Sequence, residues 1–430
     1  MRHTLAILVL SLPTLLVGQE QFTKYTAIRC GRLFDSRSGQ IVDHATILIA
    51  GNRIRSVGTS VAIPRDAEVI DLSDATVLPG LIDCHTHVLL QGDVTSQDYD
   101  VQLLRESIPY RAIRAAVAAQ AALRNGFTTI RDLGSEGAMY ADVDVKRAIA
   151  NGVIEGPRMI VATRALDVTG AYPLLGYSWE LRLPKGVQVA DGVDECRRAV
   201  REEVENGADL IKVYADRSYY LTDDGSLRSI LTFTFDELKA ICDEAHKLHR
   251  AVAAHAVGRD GIENSLRAGV NTIEHGDGFD DEMIALAIER GVYWCPTLFV
   301  TEYVANGRAA EGRPIYRQMI THQRAAFLKG VNAGMKIALG TDAGGFAWDV
   351  NEAVELTKMV NAGMTPLQAI TAATAVGADL LDLRGTIGEI TPGAMADIIA
   401  VNGDPFSEIS RLERVRFVMK EGKVIRHDTR

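Results

Sequence analysis

His85 and His87 stand two residues apart at the end of an apolar run, and imidazoles at that spacing can hold one metal ion between them. The run through residues 75–82, interrupted at Pro79 and Gly80, reads as a buried strand that delivers the pair. Alternate residues of a strand share a face, so both rings point one way and Thr86 points the other. A bare His-x-His is equally compatible with two hydrogen-bonded core histidines. Matching ligands downstream decide between the two.

Such residues are present, each at the end of a strand-like run. Residues 208–214, Ala-Asp-Leu-Ile-Lys-Val-Tyr, place Lys212 in an apolar segment. An ammonium there is costly to desolvate, so it must be paired or lose its charge. Residues 251–257 deliver His255, residues 270–276 deliver His275, and residues 335–345 deliver Asp342 just before a glycine pair. Singly, each is also readable as a satisfied core histidine, a capping aspartate or a snorkelling lysine. Packing alone does not account for six metal-compatible side chains that each close such a run.

The elements that position them alternate. Residues 127–133, 159–166, 292–300 and 337–340 add strand candidates to those carrying His85, Lys212, His255 and His275. Helical patterns cover 108–125, 193–206, 235–249, 261–268, 281–290, 315–333 and 366–381. Eight strands alternating with helices predict an α/β fold, a (β/α)8 barrel spanning 77–385, whose functional residues gather at the C-terminal strand ends. Strand-rich segments at 20–76 and 386–430 predict a small β-sandwich domain built from both termini.

A chain of 430 residues with 47% hydrophobic side chains can bury a core of that size. The formal charge of −10, with no basic face in view, excludes nucleic acid as a partner. Residues 1–19 read as an export signal: Arg2 and His3 precede an apolar stretch too short to span a bilayer comfortably. The expectation is a periplasmic or secreted protein with no stable membrane span after signal cleavage. Five scattered cysteines without a Cys-x-x-Cys pair leave room for one disulfide and at least one free thiol. Cys84, between the two histidines, reads as a core residue.

The motifs Leu78-Pro79-Gly80-Leu81-Ile82-Asp83-Cys84-His85-Thr86-His87, Ala254-His255-Ala256, Ile273-Glu274-His275-Gly276 and Gly340-Thr341-Asp342-Ala343-Gly344 resemble those of the amidohydrolase superfamily. Within it they are most similar to the branch of Xaa-Pro dipeptidase-like and imidazolonepropionase-like enzymes. The resemblance implies two divalent ions, zinc by preference for this donor set. His85, His87 and Asp342 would hold one and His255 and His275 the other. Lys212 would bridge them as a carbamate formed with CO2, which turns a costly buried cation into an anionic ligand. Two cations sharing one water lower its pKa toward ~7, and Asp342 would act as general base. The implied reaction is cleavage of an amide in a small molecule, a dipeptide or N-acyl amino acid. A homo-oligomer is compatible with the family.

Departures concern specificity. Many relatives carry a Thr-Gly-Gly-His-like turn where this chain has Val168-Thr169-Gly170-Ala171-Tyr172, and a Gly-Gly loop where it has Val213-Tyr214-Ala215-Asp216-Arg217-Ser218-Tyr219-Tyr220. Tyr214 shares the inward face of Lys212 and is either a donor to substrate or a rim packing residue. Arg164, Tyr172 and Arg217 are candidates to meet a substrate carboxylate, arginine because its fork matches that group, and each is also compatible with a structural role. His44, His246, His249, His322 and His427 lack a strand-end context and stay outside the site. The alternatives are a hydrolase of a cyclic amide, carbamate or lactone on the same centre, and last a non-catalytic scaffold, which would have lost ligands.

Overall fold

The computed structural model describes residues 24–428 except Pro173 and Leu175, so the signal-like segment 1–19 lies outside the described residues. Two parallel sheets form the centre. Leu81–Thr86, Phe127–Asp132 and Arg158–Val161 make one, in that order. The other runs Gln188–Val189, Leu166–Asp167, Leu210–Tyr214, Ala251–Ala256, Thr272–His275, Tyr293–Cys295. Parallel strands covered on both faces read as unbroken apolar runs, and every residue of Leu210–Tyr214 is buried.

Helices return the chain between these strands, and their starts are written locally. Ser107 accepts from the Tyr110 N–H at the head of Ile108–Arg124, and Thr234 and Glu237 form a capping box at the head of Phe235–Lys247. Among the described residues no helix is long and apolar enough to cross a membrane.

Backbone hydrogen bonds join the two sheets. Asp209 N–H donates to Val161 O at 2.8 Å, and residues 337–343 bridge Trp294 at Ile337 and Thr86 at Ala343. This bridging segment sets Asp342 beside the histidine strand: Asp342 N–H donates to His85 O and His87 N–H to Ala343 O, both at 2.7 Å. Residues 337–340 do not form the regular strand their composition predicts. Leu339 N–H turns away to Ala372 O, in the π-helical turn Ala372–Val376 that interrupts the predicted 366–381 helix.

The predicted strand 292–300 ends at Cys295. Thr297 turns through φ +50°, and the helix Leu298–Ala310 begins where the buried Glu355 carboxylate accepts from the Leu298 and Phe299 N–H groups at 2.7 and 2.8 Å. That cap comes from more than fifty positions away, so no local pattern announces it.

The strands of both termini are hydrogen-bonded into one eight-stranded path, in which Glu68–Pro79 pairs with Tyr25–Phe34 on one side and Ile398–Asn402 on the other. Its core includes Ile28, Ile47, Val77, Ile398 and Phe417, each burial contributing about 1.5–3 kcal/mol. Glu68–Pro79 runs through Gly80 directly into the histidine strand, and a Cβ at Gly80 would lie 2.1 Å from Thr128 Oγ1. All five cysteines are buried and free, Cys84 among them.

Candidate metal centre

His85 and His87 carry their lone pairs toward one point. His85 Nδ1 lies 2.8 Å from Glu274 Oε2, whose other oxygen accepts from Arg131 Nη2 at 2.8 Å. His87 Nδ1 lies 3.1 Å from Gly134 O. A carbonyl and an ion-paired carboxylate only accept, so both Nδ1 atoms carry the proton and both Nε2 atoms are free to ligate. Those Nε2 atoms sit 3.6 and 3.4 Å from Asp342 Oδ1, and the three ligand atoms fall within 4.8 Å of one another. Thr86 points the other way, its hydroxyl donating to Arg131 O at 3.3 Å.

Asp342 reaches them through a bent backbone. Its φ is +60°, a conformation held in place from both sides. The buried Asp83 carboxylate accepts from Thr341 Oγ1 at 2.5 Å and from the N–H groups of Thr341 and His85, clamping the Asp342 segment to the histidine strand. Gly344 follows at φ +108°, where a Cβ would lie 2.3 Å from His87 O. The glycine pair is therefore a condition of the close approach.

Lys212, His255 and His275 form the adjoining group. The His275 ring centroid lies 5.1 Å from that of His85 and 4.5 Å from that of His255. His275 Nδ1 pairs with Thr297 Oγ1 at 2.8 Å, and Trp294 Nε1 donates to His275 O at 2.7 Å. His255 Nε2 meets the Tyr219 hydroxyl at 2.6 Å. Lys212 is buried, with Nζ 5.4 Å over the Tyr214 ring and no ion pair to a described residue.

Electrostatics make the group fit a cation. Burial, then neighbouring positive charge, holds His85, His255 and His275 well below the ordinary imidazole value, and burial lowers His87. Burial thus favours the neutral form of all four rings. Burial brings Lys212 down to about 8 against the pull of Glu274 and Asp342, and pushes Asp342 up to about 8 against the pull of Lys212. Imidazoles, a carboxyl and an amine gathered in one buried group are a donor set for divalent metal.

A cavity of about 140 Å³ opens beside these residues, lined by Asp342, His255, His275, Tyr219 and Arg217, with Val300, Val304 and Met319 as its apolar wall. The Arg217 guanidinium lies over the neighbouring rings of Tyr172 and Tyr214, 4.2 Å from each centroid. Its Nε and Nη2 are buried with no hydrogen-bond partner among the described residues. Tyr214 and Tyr172 do not offer their hydroxyls to the cavity; both donate to Glu136, at 2.9 and 3.1 Å.

Arg164 is not brought to this site. Its guanidinium is held by Glu202 and Glu203, each at 2.8 Å, and by the Tyr140 hydroxyl, which leaves it structural. Sequence reasoning passes over Glu274, Arg131, Glu136 and Tyr219. Glu274 and Arg131 carry the same signal as Lys212, a charge inside an apolar strand. Tyr219 belongs to the hairpin of Asp216–Leu221 and Leu227–Leu231, signalled by the turn residues Asp223-Asp224-Gly225.

A sequence model of the amidohydrolase family matches residues 76–425. Ochratoxinase of Aspergillus niger is 31% identical over 444 aligned positions, which cover 96% of this chain and 89% of that protein. Among solved structures, a Xaa-Pro dipeptidase with bound methionine in the active site superposes with a TM-score of 0.84 at 32% identity, over 94% of this chain and 100% of the other. A prolidase complexed with N-methylphosphonate-L-proline gives 0.83 at 28% identity, over 94% and 100%.

Proposed function

This chain belongs to the amidohydrolase family and is a metal-dependent hydrolase of C–N bonds, and we propose that it cleaves the amide of a dipeptide or N-acyl amino acid, holding the free carboxylate on Arg217. The observation that carries the reading is a cation lining the same cavity as Asp342, His255 and His275, with two guanidinium nitrogens buried and without a hydrogen-bond partner among the described residues. Acids such as Asp167 act on it only through space, so its buried donors are costly until an anion comes within hydrogen-bond reach. The likeness to a prolidase complexed with an N-substituted proline and to a dipeptidase with bound methionine supports the same class.

His85, His87 and Asp342 would hold one divalent ion, zinc by donor type, and His255 and His275 a second, with Lys212 as a bridging carbamate. Bound there, the ions would supply a water acidified toward neutral pH and polarise the scissile carbonyl. Asp342, at the boundary between the histidines and the cavity, takes the proton from the attacking water and returns it to the departing amine. Arg217 fixes the carboxylate of that amine half, while Val300, Val304 and Met319 receive its side chain and exclude water. The parallel sheets joined at both ends support a (β/α)8 barrel as the scaffold, and residues 1–19 support export.

The test is amine release by metal-loaded protein from N-acetyl-L-amino acids and dipeptides, each compared with its carboxamide. The carboxylates should be preferred by roughly tenfold or more in kcat/KM, and Arg217→Met should erase the preference, since a charge-assisted pair is at stake. Equal turnover of acid and carboxamide would remove Arg217 from substrate recognition. Absence of release across the panel would favour a cyclic amide, carbamate or lactone.

A further inference from the structure

Glu136 lies in the turn after the strand Phe127–Asp132, at φ +47°, where a non-glycine residue is strained unless its surroundings hold it. They do so heavily. Arg111 Nη2 donates to Glu136 O at 2.8 Å, and the buried carboxylate accepts three phenols: Tyr99 at 2.8 Å, Tyr172 at 3.1 Å and Tyr214 at 2.9 Å. Its Oε1 also lies 3.8 Å from His87 Nδ1, and the Gly134 carbonyl that accepts from that nitrogen belongs to the same turn. A carboxylate is the side chain that suits this position, because it accepts at every lone pair and donates nowhere.

Tyr172 and Tyr214 form the tilted ring pair, centroids 5.0 Å apart, on which Arg217 rests. Nε and Nη2 of Arg217 have no hydrogen-bond partner among the described residues, so its contacts with these two ring faces help hold the guanidinium, and Glu136 holds both rings. One acid therefore touches both halves of the site: the surroundings of a metal-site histidine and the cage around the cavity cation.

We propose that Glu136 is a positioning residue that sets the specificity of this enzyme for carboxylate-bearing amides, by fixing the Tyr172–Tyr214 cage in which Arg217 meets the carboxylate. The inference rests on the role of Arg217 given above. Glutamine in its place has one acceptor oxygen and turns a donor toward a phenol, so the ring pair loses an anchor while the hydrogen bonds that orient the metal-site histidines, His87 to Gly134 and His85 to Glu274, do not involve it.

The experiment measures calorimetric binding of two probes to metal-loaded protein: L-methionine, and L-methioninol, which lacks the carboxylate. Wild type should prefer L-methionine. Glu136→Gln should weaken L-methionine by about tenfold, the scale of one hydrogen bond to a charged group, while L-methioninol binding and metal content stay as in wild type. In hydrolysis of N-acetyl-L-methionine the loss should fall on KM rather than kcat. In an Arg217→Met background, Glu136→Gln should add nothing. Should Glu136→Gln fail to fold, Tyr172→Phe keeps the ring, removes its bond to Glu136 and gives the same split in smaller measure. Equal weakening of both probes, or full additivity with Arg217→Met, overturns the coupling. If Arg217→Met leaves the preference for L-methionine intact, or wild type has none, the carboxylate anchor itself fails, which is a different result from failure of Glu136 alone.

Discussion

Replacing Lys212 by alanine should yield a folded protein that holds at most one divalent ion per chain and is slower in amine release by roughly a hundredfold or more, beyond the loss seen when only a supporting contact of a metal site is removed. The expectation follows from where the side chain sits. Lys212 lies in a strand whose five residues are all buried, its Nζ makes no ion pair with a described residue, and burial lowers it to about 8. A cation in such a place costs stability unless it is discharged or converted. The metal-free Lys212→Ala protein should therefore melt no lower than the metal-free wild type, apart from the cavity left by the aliphatic stem. Elemental analysis and thermal melting separate loss of the centre from loss of the fold. Two ions and full activity in the variant would remove Lys212 from the centre.

Asp342→Asn should lower kcat by about 10²–10⁴, the usual contribution of a general acid–base, with KM changed only severalfold. Of the clustered residues His85, His87 and Asp342, it is the one that also lines the cavity, and its side chain is 16% exposed where His85 is 1% exposed. It can thus exchange a proton with a substrate that the histidines do not reach. Asparagine keeps the shape and one oxygen but carries no proton between water and amine. Steady-state kinetics decide: a raised KM with unchanged kcat would make Asp342 a binding residue only.

The metal-compatible residues were legible because each breaks an apolar run at a strand end, and burial makes such breaks costly without a purpose. Arg164 shows the limit of that signal. It lies inside the strand-like stretch 159–166, but that stretch is split into the strands Arg158–Val161 and Leu166–Asp167, and Thr163 at φ +63° bends the chain between them. Its partners Glu202 and Glu203 lie nearly forty positions away, where no spacing rule reaches. Tyr214 does follow the alternation from Lys212, yet its hydroxyl serves Glu136, a pairing made across 78 positions. The strand expected at 337–340 fails for a similar reason, since its N–H groups are divided between Trp294 and a π turn that composition does not mark.

Metal titration of the chelator-stripped protein tests the central claim most directly, with bound zinc and amine release from N-acetyl-L-amino acids followed together in the presence of bicarbonate. Activity should be absent without metal and rise with occupancy until two equivalents are bound per chain. Turnover that persists in metal-free protein, or that reaches its full value at one equivalent with no second ion bound, would contradict it.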